Sequence, residues 1–307
     1  MWNSRIGFKS GNFVGIGATW FTLSCGLVAS GADLPATLLH SFTGATPGAS
    51  GLTTSSDGTI YGVTYGGGPD NAGTVFRLNP DGTGYYLLRA FSGPDGSNPR
   101  VSVAVSSGIV YGVTYLGGSS NLGTLFSMDT NGNSFTVLRS FSGSDGANPW
   151  ALTSPNGGVL YGATANGGSA NAGVVFSVRS DGTSFSVLRN FSSSDDQGAN
   201  PSPGLGLTSG RLYGTTYNGG NSNLGTLFAL NTDGSSFQVL KHFGGVDGAS
   251  PFARPIPVNN LLYGTTERGG TYGYGTVYQI NTMVRAIRCC RTSTAPMELI
   301  QTPPSML

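Results

Sequence analysis

Glu267 is the one residue whose type and position suit an acid or base, and it stands alone. A glycosidase would need a second carboxylate singled out beside it, and none is. A surface ion pair with its neighbour Arg268 is the plainer role, and such pairs contribute little. Glu267 breaks an internal repeat whose other copies place Tyr65, Tyr115, Ala165 and Tyr217 at the same position. If those tyrosines lie at one face, they form an aromatic rim near Glu267 and Arg268. Aromatic faces with Asn and Ser neighbours suit sugar rings or extended peptides; packing on adjacent loops is the alternative. The expected ligand-binding residues are therefore Tyr65, Tyr115, Tyr217, Glu267 and Arg268. No catalytic set is expected, Glu267 being the single candidate.

Other chemistry is sparse. His40 occupies the slot filled elsewhere by Arg89, Arg139, Arg189 and Lys241, and His242 is the neighbour of that slot in another copy. A basic residue on each outermost strand reads as a gatekeeper against edge-to-edge aggregation; a positive ring attracting an acidic partner is the sharper alternative. Asp81, Asp181 and Asp233 serve hairpin turns, while Asp95, Asp145, Asp195 and Asp247 are assigned to the loop before each next unit. Turn capping accounts for both sets. Calcium could use the same oxygens, but no loop has the carboxylate density of an EF-hand. No metal and no cofactor are expected. Cys25 lies near the N-terminus and Cys289-Cys290 near the C-terminus, so the repeats carry no disulfide framework. Nucleophile-elbow, P-loop and HExxH motifs are all missing.

The elements that must position these residues come from a repeat of about 50 residues. Tyr-Gly followed by x-Thr recurs at Tyr61, Tyr111, Tyr161, Tyr213 and Tyr263. Each copy continues with a Gly-Gly pair, such as Gly117-Gly118, and a Gly-x-(Val/Leu)-aromatic segment, such as Gly123 to Phe126. Four copies add an Asp-Gly or Asn-Gly turn and a strand ending in Leu-basic-x-Phe, as in Leu138 to Phe141. Runs rich in β-branched and aromatic residues between Gly and Pro clusters are strands. Asp-Gly and Asn-Gly supply the positive φ that tight hairpins demand. Four short strands per unit, repeated five times, predict an all-β fold: a β-propeller of about five four-stranded blades. The five repeated tyrosines are expected in the core or between blades. Composition agrees, because the 51 glycines belong to these turns and only 9% of residues are charged. A net charge of +1 gives no footprint for nucleic acid.

The last unit lacks its Leu-basic-x-Phe strand, and an orphan copy, Leu38 to Phe42, precedes the first unit. That strand is expected to complete the last blade and close the ring; an open stack, or a fragment of a larger propeller, is the alternative. Residues 1–32 read as a signal peptide: Arg5 and Lys9, an apolar stretch from Phe13 to Ala29, then small residues before Asp33. An uncleaved anchor and a lipoprotein site at Cys25 are the other readings. The propeller is expected over 33–282. Residues 283–307 contain no Gly and break the pattern, as a disordered tail or a reading-frame artefact would.

The motif Leu-Tyr-Gly-Thr-Thr-x-x-Gly-Gly…Gly-Thr-Leu-Phe…Asp-Gly…Val-Leu…Phe, fullest at Leu212 to Phe243, resembles the GloVer tandem-repeat family of exported bacterial proteins. The resemblance covers Leu38 to Asn281. It implies export and carries no established activity. Kelch repeats share the Gly-Gly doublet but have a tryptophan that these units lack. The expected function is an exported, secreted or cell-surface, non-enzymatic binding or scaffold module for extracellular carbohydrate or protein. It would have no membrane span once the signal is removed. The alternative is an extracellular carbohydrate-active enzyme using the propeller face.

Overall fold

A computed structural model describes residues 36–42, 44, 51–194 and 196–282. The expected signal peptide, the 283–307 tail and Asp195 lie outside the described residues. All described residues from Leu38 onward belong to one compact unit. Among them every regular element is a strand, no cis peptide occurs, and no helix is long and apolar enough to cross a membrane.

The strands form five antiparallel sheets in sequence order, one per repeat, as a β-propeller requires. The third is representative: Ala147–Leu152, Val159–Asn166, Val174–Arg179 and Ser186–Asn190 pair consecutively. In the fourth and fifth sheets the first strand is broken in two, Ala199–Pro201 with Gly206–Thr208, and Ala249–Pro251 with Ile256–Val258. The core lies between sheets. Each apolar cluster joins two neighbours, such as Tyr161 and Val175 of the third with Phe228 and Leu230 of the fourth. Tyr61, Tyr111, Tyr161 and Tyr213 are buried in it, and Tyr263 is half-buried.

The Tyr-Gly motif exists because of the aromatic residue opposite. Gly112 pairs with Phe126 across the strands, and a Cβ on Gly112 would meet the tip of that ring at 2.3 Å. The bare glycine lets the ring lie flat over the second strand, where the outer strand of the preceding sheet covers it. Phe91 packs on Phe126 at 5.2 Å, and Phe141 on Phe176 at 5.4 Å. The glycine before the third strand has a different task. Gly123 has a φ of 102°, and a Cβ there would meet Pro149 of the next unit at 2.5 Å. That glycine is where one repeat's loop docks on the next.

Leu38–Phe42 takes part in no strand pairing among the described residues. Phe42 nonetheless packs on Phe76 of the first sheet at 5.1 Å, as Phe91 does on Phe126. The fifth sheet ends with Thr276–Asn281, and no described strand covers it. Val277 is 82% exposed there, whereas its counterparts Val75, Leu125, Val175 and Leu227 are fully buried. The expected pairing of Leu38–Phe42 with the last sheet is therefore not part of the described structure. Among the described residues, the Leu38–Phe42 segment carries its aromatic anchor to the first sheet and makes no strand pairing with the fifth.

Candidate functional site

Two repeated positions lie at the Gly-Gly end of the sheets, and several of their residues meet. One follows the buried Thr that ends the Tyr-Gly strand: Tyr65, Tyr115, Ala165, Tyr217 and Glu267. The other follows the proline of the incoming strand: Arg100, Trp150, Ser202 and Phe252. Beside that proline sits Asn98, Asn148 or Asn200, each with a left-handed φ of 55° to 58°. This conformation, which Asn tolerates well, lets the amide hook the preceding unit. Asn148 Nδ2 donates to the Tyr115 carbonyl at 3.0 Å, and Asn200 Nδ2 to that of Ala165 at 3.0 Å.

Six of these residues, Tyr115, Trp150, Ala165, Tyr217, Phe252 and Glu267, converge on a cavity of about 480 Å³ lined by the second to fifth sheets. Tyr115, Tyr217 and Glu267, three of the five expected residues, line it, together with Trp150, Phe252, Ala165, Asn166 and Asn200. The rings run as a connected series. Tyr115 and Trp150 lie 5.8 Å apart, Trp150 and Phe252 meet edge to face at 5.6 Å, and Phe252 and Tyr217 do so at 6.2 Å. The Trp150 indole N–H is fixed by the Pro201 carbonyl at 2.7 Å, so the ring is held by the next unit's backbone. Glu267 is the only ionisable carboxyl in the lining, and its nearest cation, Arg268, is 3.8 Å away. Both side chains are about half exposed or more, which makes this a loose pair.

Tyr65 and Arg268 are not in the lining. The Tyr65 hydroxyl accepts a hydrogen bond from Arg100 at 3.1 Å, and the Arg100 guanidinium stacks between Tyr65 and Tyr115 at 4.8 and 4.1 Å. Arg268 follows Glu267 on one strand, where successive side chains point to opposite faces. Trp150 and Phe252 were missed because they arrive from a different strand. Their signal was present, since the residue after the loop proline changes from Arg to Trp to Ser to Phe between near-identical repeats.

The repeated basic residues are paired. Arg89 donates to Asp95 and lies 4.0 Å over Phe135 of the next sheet; Arg139 donates to Asp145 and lies 4.1 Å over Phe185. Lys241 pairs with Asp247. Arg189 stacks on Phe237 at 4.0 Å, and its hydrogen-bond partner is Gln197, which stands where the other copies have Asp. Gln197 thus contributes an amide to the third such corner, and Asp195 lies outside the described residues. His40 takes the Arg slot by stacking on Tyr85 at 3.8 Å. A cation already neutralised and covered by a ring does not make a positive surface, and it serves sheet-to-sheet adhesion instead.

The carboxylates follow the same economy. Burial raises the pKa of Asp145, but the Ser142 backbone N–H and the Arg139 guanidinium outweigh it and hold the carboxyl below its ordinary value. Asp95 behaves alike with Ser92 and Arg89. Asp81, Asp181 and Asp233 accept from the backbone N–H two residues on, at 2.8 to 2.9 Å, as hairpin turns require. Among the described residues no three His, Cys, Asp or Glu side chains gather as metal ligands would.

Five repeated sheets with an aromatic cavity at their loop end define a β-propeller-type repeat protein. The model of the Gloeobacter/Verrucomicrobia repeat matches residues 8–198 and 155–292, and the chain belongs to that family. A comparison with curated proteins found no match. Among solved structures, a chain of a nidogen/laminin complex is similar at 18% identity and a TM-score of 0.49, covering 70% of each chain. A gluconolactonase from Xanthomonas campestris is similar at 14% identity and a TM-score of 0.48, covering 75% of this chain and 71% of the other. TolB from Acinetobacter baumannii is similar at 13% identity and a TM-score of 0.46, covering 69% of this chain and 47% of the other.

Proposed function

We propose that this chain is an exported, non-enzymatic binding module that takes part of an extracellular carbohydrate or protein into the Tyr115–Trp150–Phe252–Tyr217 cavity. The observation that carries the reading is the composition of that cavity: four aromatic side chains and one lone carboxylate, Glu267. Four rings offer contact area at small entropic cost, while a single half-exposed carboxylate without a partner acid or base suits retention better than hydrolysis. Export follows from the reading of residues 1–32 as a signal peptide, with 33–282 as the mature propeller and 283–307 as a tail outside the repeat. N-terminal sequencing of the cell-exported protein is expected to begin at Asp33, and an intact Met1 on it would remove export.

The binding claim is tested by probing glycan and peptide arrays with the full chain and with Trp150→Ala. Trp150→Ala is expected to abolish any signal and leave the circular dichroism spectrum unchanged. Turnover of a glycan that Glu267→Gln abolishes would replace the reading with the enzymatic one.

A further inference from the structure

Resting on the cavity as a ligand site, we infer that the group it takes is an organic cation, an alkylated or quaternary ammonium. Three features separate this from a sugar site. The first is ring geometry. Stacking a sugar requires an open, flat platform, but Trp150 stands at 82° to Phe252 and Tyr217 at 84° to Phe252. Rings set at right angles present π faces in several directions, which suits a compact, rounded head group.

The second is hydrogen-bonding capacity. Asn200 Nδ2 donates to both the Ala165 carbonyl and Asn166 Oδ1, while Asn200 Oδ1 accepts from Asn218 at 3.0 Å. Asn166 Nδ2 donates to Asn148 Oδ1 at 3.1 Å. Asn200 thus spends both of its N–H groups within the protein, and Asn166 one of its two, with each oxygen accepting one bond. A sugar needs free donors and acceptors for its hydroxyls, whereas an alkylated ammonium with no or few N–H groups needs almost none.

The third is charge. Glu267 is the only charged lining residue among the described residues, and its sign is that of a cation receptor. The chain already places one cation on this aromatic row, where Arg100 stacks on Tyr115 just outside the lining. About 480 Å³ exceeds one such head group and leaves room for the chain that bears it.

The full-length protein is titrated by NMR or calorimetry with choline, with its neutral isostere 3,3-dimethylbutan-1-ol, and with an uncharged glucose oligomer. Choline is expected to bind about tenfold or more tightly than the isostere, a difference of ~1.4 kcal/mol. Glu267→Gln should weaken choline severalfold and leave the isostere unchanged. Arg100→Ala should tighten choline, because it removes a like charge from the next ring. Phosphocholine and trimethyl-lysine amide then distinguish a lipid or polymer head group from a protein side chain. Equal binding of choline and isostere, or binding of the glucose oligomer with choline silent, overturns the cation inference and leaves the binding module standing. Silence of all these probes and of the glycan and peptide arrays overturns both.

Discussion

The third and fifth sheets share one sequence pattern and differ in what covers them. In the third, Val175 and Phe176 are fully buried beneath Ser186–Asn190 and the neighbouring sheet. In the fifth, the equivalent Val277 is 82% exposed and Tyr278 replaces the phenylalanine. The repeat therefore does not carry its own core. A third strand becomes buried only when its outer strand and a neighbouring unit are present, as nearest-neighbour energetics in repeat arrays imply.

The largest test of that contrast is a pair of truncations. Phe176 touches Phe141 of the preceding sheet and Phe185 of its own, so Phe176→Ala should cost roughly 3–5 kcal/mol. Among the described residues Tyr278 has only Phe243 as an aromatic neighbour, and Tyr278→Ala should cost less than half as much. Urea unfolding of the two variants measures both. Equal losses would mean that the fifth sheet is as tightly integrated as the third.

A smaller effect sharpens the comparison at the sheet corners. Asp145 joins Arg139 to the Ser142 N–H, and Asp145→Ala should cost roughly 1–3 kcal/mol. In the next sheet Gln197 holds the corresponding sequence position and accepts a hydrogen bond from Arg189. Because the Asp145 pKa is lowered on folding, its stabilisation is complete above its ordinary value of 3.8 and is lost as pH falls through the depressed one. Hydrogen exchange at Ser142 should therefore quicken, relative to the intrinsic rate, as pH drops below 3.8, and Asp145→Asn should abolish that pH dependence. An acid response that survives Asp145→Asn would show that the carboxylate is not its source.

Much of the architecture was legible because it is local. Asp-Gly turns, strand composition and the 50-residue period specify five sheets without reference to distant contacts. The closing strand was legible only in part. Its phenylalanine finds the site that the repeat predicts, Phe42 on Phe76, but pairing with the fifth sheet depends on how the sheets accumulate around the axis. No residue spacing encodes that sum. The candidate site divides in the same way. Tyr115, Tyr217 and Glu267 could be found because one repeat position held them. Trp150 and Phe252 required knowing that the residue after the loop proline meets that position from the neighbouring strand. The basic residues read as edge gatekeepers in sequence, because nothing there reveals that Phe135 and Phe185 of the next sheet lie beneath Arg89 and Arg139.

The smallest effect lies at the edge itself. Tyr278 occupies the place of Phe76, Phe126, Phe176 and Phe228, with its ring over Gly264. Its hydroxyl is shut away from solvent without a hydrogen-bond partner, and burial pushes its pKa up. An unpaired buried hydroxyl is a net cost, since the group loses water and gains nothing in exchange. Tyr278→Phe removes the oxygen and keeps the ring, so it should raise stability by a few tenths to about 1 kcal/mol. A change near zero or a loss would mean that the hydroxyl is hydrated in solution. The fifth sheet's edge would then be open to water around Tyr278 as well as at Val277, which widens its difference from the third.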